Sequence, residues 1–135
     1  MKYDILKTIR TTLLNDATIT SHVGVNVSVR KLPNRKVTKQ ITLRKTAGPS
    51  NSIICSRTQT VYISVWVLQK DIAEPYKECV EIVERVTDLF NRKGESLNTG
   101  DLIINQITNM DSEIDYDETL EYWFGIIILE CVTND

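Results

Sequence analysis

The chain is 135 residues long, 41% hydrophobic and 25% charged, a composition that fits one folded domain over 1–135 and excludes a disordered or fibrous chain. Its net charge of −2 hides a division: residues 17 to 70 carry nine bases and no acid, whereas residues 71 to 135 carry sixteen acids and four bases. Such segregation suits a nucleic-acid footprint or head-to-tail association of copies, basic region against acidic region, beside the plain alternative of two solvated faces.

Ile5, Leu6, Ile9, Leu13 and Leu14 recur at three- and four-residue steps and predict a helix over 3–14, stopped at Asn15 and Asp16. One further turn over Ala17 to His22 leads out through Val23 and Gly24. Val25, Val27 and Val29 then alternate with Asn26, Ser28 and Arg30, the period of a half-buried strand that ends before Pro33. The segment from Leu32 to Thr60 mixes bases, a strand-like stretch from Ile41 to Leu43, a breaker from Ala47 to Asn51, and a short strand over 53–56. It reads as a projecting basic hairpin or loop, too thin in apolar residues to belong mainly to the core. Arg30, Lys31, Arg35, Lys36, Lys39, Arg44 and Lys45 make it a basic arm suited to a subunit or partner contact.

Thr60 to Leu68 is dense in β-branched and aromatic residues and predicts the central strand. A long helix follows from Ile72 or Pro75 to Lys93, with Asp71 or Glu74 suited to its cap, Pro75 to its first turn and Gly94 to its end. Tyr76, Cys79, Val80, Val83, Val86 and Phe90 form the predicted apolar stripe. Two strands over 101–110 and 120–132 close the chain, joined by an acidic loop from Asp111 to Glu118. The order predicts an α+β fold: a mostly antiparallel sheet with the N-terminal helix and the long amphipathic helix packed on it.

The inventory of reactive groups points away from catalysis. Cys55, Cys79 and Cys131 are odd in number and form no CxxC, which argues against a disulfide framework or a zinc knuckle and for a reducing compartment. His22 is the lone histidine and has no cysteine near it in sequence, so a nucleophile and base pair is not encoded locally. The five glycines are scattered, and no phosphate-binding motif occurs. Asp111, Glu113, Asp115 and Asp117 mimic the start of a calcium loop, but Tyr116 and Tyr122 stand where that loop needs glycine and glutamate. No aromatic residue lies between residues 23 and 61, which weakens single-strand nucleic-acid binding through the basic arm. The longest apolar run, Trp123 to Leu129, falls short of the ~20 residues of a membrane-spanning helix. Charges among the first ten residues interrupt any signal sequence. The expectation is a non-enzymatic protein without metal or cofactor that makes no membrane contact and stays where it is made.

Leu13 to Asp16 ending the first helix, Val23-Gly24 before a strand, the basic hairpin, the strand from Val61 to Val67, the amphipathic helix, and closing strands ending in Tyr122 to Leu129 together resemble the tail terminator (tail completion) proteins of long-tailed bacteriophages. The resemblance spans nearly the whole chain and rests on size, element order and strand character. It implies a six-membered ring that caps the finished tail tube, ends its polymerisation and presents the surface to which the head joins. The implied partners are further copies of the chain, the tail tube protein, a head completion or connector protein, and phage DNA passing through the lumen without specific binding. The implied location is the neck of the virion, with assembly in the host cytoplasm, and no catalytic residue is carried over. On this reading the basic arm contacts a neighbouring subunit or the tube. The acidic segment Asp111, Glu113, Asp115, Asp117 and Glu118 lines the lumen or forms the complementary interface. Another neck, connector or tube component, and a nucleic-acid-binding module using residues 30–45, are the alternatives.

Overall fold

Apolar residues at helical spacing place one face of each N-terminal helix on a sheet, and the sheet is built from strands whose alternate residues are apolar. A computed structural model describes the backbone of residues 5–51, 56–70, 72–90, 97–99, 102–110 and 114–134, and the side chains of 5–46, 59–70, 72–90 and 114–131. The predicted α+β class is what the chain adopts. In order the elements are α1 (Ile5–Leu14), α2 (Ala17–Val23), β1 (Val27–Val29), β2 (Lys39–Asn51), β3 (Ser56–Leu68), α3 (Pro75–Phe90), β4 (Leu97–Thr99), β5 (Leu102–Met110), β6 (Ile114–Asp117) and β7 (Tyr122–Asn134). The expected helix stop at Gly94 lies outside the described residues, as does Cys55.

One sheet runs in the order β1-β2-β3-β7-β5-β4, with β6 paired to β7 beside β5. Every described pairing is antiparallel except β1 with β2, where Val27 to Val29 run parallel to Ile41 to Leu43. That exception follows from the long connection between β1 and β2, which returns the chain to the start of the sheet instead of reversing it.

Register divides the sheet into two faces. Ile41, Leu43, Val61, Ile63, Val65, Val67, Ile127 and Leu129 point to the helices and are fully buried against Ile5, Ile9, Leu13, Ile82 and Val86. The other face, against which no helix packs among the described residues, carries Gln40, Thr42, Ser64, Trp66, Tyr122 and Phe124. Trp66 donates from Nε1 to Thr42 Oγ1 at 2.9 Å, stacks on Phe124 at 5.2 Å and meets Tyr122 edge-on at 6.0 Å. A buried indole N–H is thereby satisfied inside an aromatic cluster.

Four sequence-based expectations change. The segment from Leu32 to Thr60 is not chiefly an arm outside the core: Ile41 and Leu43 are fully buried because α1 and α2 cover their face and β1 pairs beside them in the sheet. The Gly48-Pro49 breaker lies within β2, where the pairing with β3 shifts between Ala47 and Ser50. A strand absorbs a proline at such an irregularity because the missing N–H need not join the ladder. On α3 the buried stripe is Cys79, Ile82, Val83, Val86, Leu89 and Phe90, while Tyr76 stands exposed and Val80 is half-buried. The acidic segment is no simple loop, since Ile114 to Asp117 form β6 and the reversal shrinks to residues 118–121.

Asp16 ties the helices together. Its carboxylate caps α2 by accepting from the Ile19 N–H at 3.0 Å, and it also receives Arg85 of α3, with Nε to Oδ2 at 3.1 Å. The Arg85 guanidinium, helped by the cap bond, holds the Asp16 carboxyl below its usual range.

Candidate assembly surfaces

Arg30, Lys31, Arg35 and Lys36 are exposed on the connection between β1 and β2, and none pairs with an acid among the described residues. The connection is held in place although it is irregular. The buried Gln40 amide accepts from the Asn34 N–H at 2.7 Å and donates to the carbonyls of Asn34 at 2.8 Å and Val37 at 3.1 Å. The Tyr122 hydroxyl donates to the Val37 carbonyl at 2.7 Å, and burial pushes its titration up. The basic residues at the tip are therefore presented on an anchored backbone, with little ordering entropy left to lose on contact.

The other three bases do not join them. Lys39 Nζ sits 3.1 Å from Glu78 Oε2 of α3, whose carboxylate also lies 3.7 Å from His22 Nδ1. Arg44 lies over the Tyr62 ring at 4.3 Å on the helix-free face. Lys45 belongs to the opposite face and reaches Gln59 Oε1 at 3.3 Å. The seven bases make one exposed group of four and three separately tied residues, because strand alternation sends Arg44 and Lys45 to different sides.

Of the acidic candidates, Asp111 and Glu113 lie outside the described residues. Asp115 and Asp117 pair with Phe124 and Tyr122 and so share the helix-free face, while Glu118 is exposed in the turn. Asp117 Oδ1 accepts from the Leu120 N–H at 2.8 Å and its carbonyl from the Glu121 N–H at 2.7 Å, closing a turn in which Glu121 takes φ +60°. The extended backbone over 114–117 spaces Asp115 and Asp117 along a strand instead of wrapping them around a cation.

The same hairpin builds a feature that sequence reading misses. Tyr116 and Trp123 are cross-strand partners on the helix side, their rings 5.0 Å apart, and Tyr76 of α3 meets Trp123 from the other side at 5.1 Å. Glu118 and Glu121 are exposed in the turn between Tyr116 and Trp123, and Glu74, exposed and paired with Lys77 at 3.7 Å, lies two residues before Tyr76, whereas Asp115 belongs to the opposite face. Tyr76 and Trp123 are 47 positions apart, so no local pattern joins them. The one usable signal is a tyrosine in the first turn of α3, beside a charge-rich cap.

Nothing among the described thiols is activated. Cys79 and Cys131 are buried and free, and burial pushes both up to about 12, so each remains a protonated, apolar group.

No sequence-family profile and no curated protein matches the chain. Among solved structures, a chain from the virion of a native gene transfer agent (GTA) particle is similar over 97% of this chain and 95% of its own length, with a TM-score of 0.77 at 14% sequence identity. At that identity the likeness is one of fold, and this chain shares the α+β fold of that virion chain.

Proposed function

We propose that the chain is a structural virion protein that closes into a ring on the end of a phage tail tube, stops its growth and offers the surface for head joining. The observation that carries the virion assignment is the fold held in common with a virion chain across nearly the full length of both. The finer role rests on the resemblance of element order and strand character to tail terminators, and on the segregated charge. Its partners on this reading are further copies of itself, the tail tube protein and a head completion or connector protein, with DNA passing without specific binding. Its role is architectural and needs no cofactor. Another position at the neck or in the tube is the nearest alternative, since a shared fold does not specify a place in the particle.

Deleting the gene from a phage that encodes it tests this reading. The expected products are filled heads and separate tails of irregular, overlong length, with the chain detected by mass spectrometry in purified wild-type particles. Absence of the chain from those particles removes the virion assignment; its presence together with normal tail length in the deletion leaves a virion protein that is not the terminator.

A further inference from the structure

Among the described residues, the exposed large hydrophobic side chains are Val25, Val29, Leu32 and Tyr76, at 77%, 56%, 57% and 53% exposure. A single exposed apolar residue is ordinary. These four are not scattered. Val25, Val29 and Leu32 fall within eight residues along the edge strand β1 and its flanks, with the exposed bases Arg30 and Lys31, which pair with no acid among the described residues, between Val29 and Leu32. Tyr76 belongs to the aromatic corner with Trp123 and Tyr116, whose rim is acidic.

We infer that these two patches are the halves of one head-to-tail interface between copies of this chain: the aliphatic, basic β1 edge of one copy docks on the aromatic, acidic corner of the next. Both halves combine an apolar centre with a charged rim, and the rims are opposite in sign, the arrangement that favours a partner of complementary charge and disfavours a like one. They cannot satisfy each other within one subunit. β1 is the first strand of the sheet and β6 lies beyond β7 on the far side, so four strand spacings, roughly 19 Å, separate them. Two different patches on opposite edges of one sheet define a heterologous contact, which repeats from copy to copy and closes into a ring when the rotation per step allows. The occupant of each patch is therefore a second copy. This inference rests on the reading of the chain as a self-assembling virion protein and specifies the surface that reading leaves open.

The test is a charge exchange followed by its reversal in one chain. Arg30→Glu with Lys31→Glu makes both rims acidic, and Glu118→Lys with Glu121→Lys turns the second rim from three acids into two bases beside Glu74; all four substituted residues are exposed and make no ion pair with a described residue. Each pair of changes should weaken self-association in sedimentation across a concentration series by at least about tenfold. The chain carrying all four changes regains opposite rims and should recover assembly, a rescue that a merely misfolded variant would not show. Assembly unaffected by either pair, or no recovery in the fourfold variant, overturns the interface. So does a wild-type chain that stays monomeric throughout the series, together with a Val29→Cys, Tyr116→Cys variant that yields no cross-link in purified particles. A chain that assembles through these patches but is absent from virions would uphold the interface and remove the proposed function. If the Arg30 and Lys31 variant self-associates normally yet fails to enter particles, the β1 edge binds a different protein and the inference fails.

Discussion

Replacing Ile82 by alanine, with Val80→Ala as its control, tests which face of α3 meets the sheet. Ile82 is fully buried, whereas Val80, two positions away, is half-buried. Ile82→Ala removes three carbons, which at ~0.8 kcal/mol each is a loss of about 2.4 kcal/mol. The unfilled space beneath the helix brings the cost to about 3 kcal/mol, within the range of such core truncations. Val80→Ala removes two carbons that water already reaches in part, and should cost less than ~1 kcal/mol. In urea, with a slope of ~2 kcal/mol/M, the midpoints should fall by roughly 1.5 M and by less than ~0.5 M respectively, the slope itself unchanged. Equal shifts for the two variants would refute the stripe of Cys79, Ile82, Val83, Val86, Leu89 and Phe90, and would return the helix to the rotation in which Tyr76 and Val80 face inward.

Three further outcomes are expected. Asp16→Asn keeps a capping side chain but loses the charge paired with Arg85; because the folded carboxyl titrates below its unfolded value of 3.8, the stability it adds is complete above that pH and lost as pH falls through the folded value. The gap in urea midpoint between wild type and Asp16→Asn should accordingly be present at neutral pH and shrink as pH falls below 3.8, and a gap that stays constant counts against the pair. Tyr122→Phe leaves the Val37 carbonyl without its 2.7 Å donor, so stability should drop by about 1–2 kcal/mol and amide exchange should accelerate over residues 34–38; unchanged exchange there would show that the hydroxyl does not anchor the connection. Arg35→Glu with Lys36→Glu should change stability by no more than ~0.5 kcal/mol each, whereas Lys39→Glu puts a second acid against the shielded Glu78 Oε2 and should cost roughly 1–3 kcal/mol in thermal unfolding. Equal costs would mean that the Lys39 and Glu78 pair is not formed in solution.

Elements whose signals are local were legible in the sequence. The periods of α1 and α3, the stop at Asn15 and Asp16, the alternation in β3 and the closing strands follow from the geometry of a single helix or strand, and together they are enough to predict an α+β sheet with helices on it. Val25, Val27 and Val29 alternate with polar residues in and before β1, yet Val27 is buried while Val25 and Val29 are not, because burial depends on where α1 and α2 end above the sheet. Likewise Ile41 and Leu43 are too few to predict a core strand and become one only under elements that precede them by some twenty residues or more. The charge division was visible as composition, but not which charges remain available. Lys39 meets Glu78 and Arg85 meets Asp16 across 39 and 69 positions, which leaves Arg30, Lys31, Arg35 and Lys36 as the exposed group. Secondary structure is written in neighbours along the chain, so sequence determined it. Exposure, pairing and the opposite placement of the two patches are sums over contacts between residues far apart in the chain, and only the folded sheet brings those contacts into being.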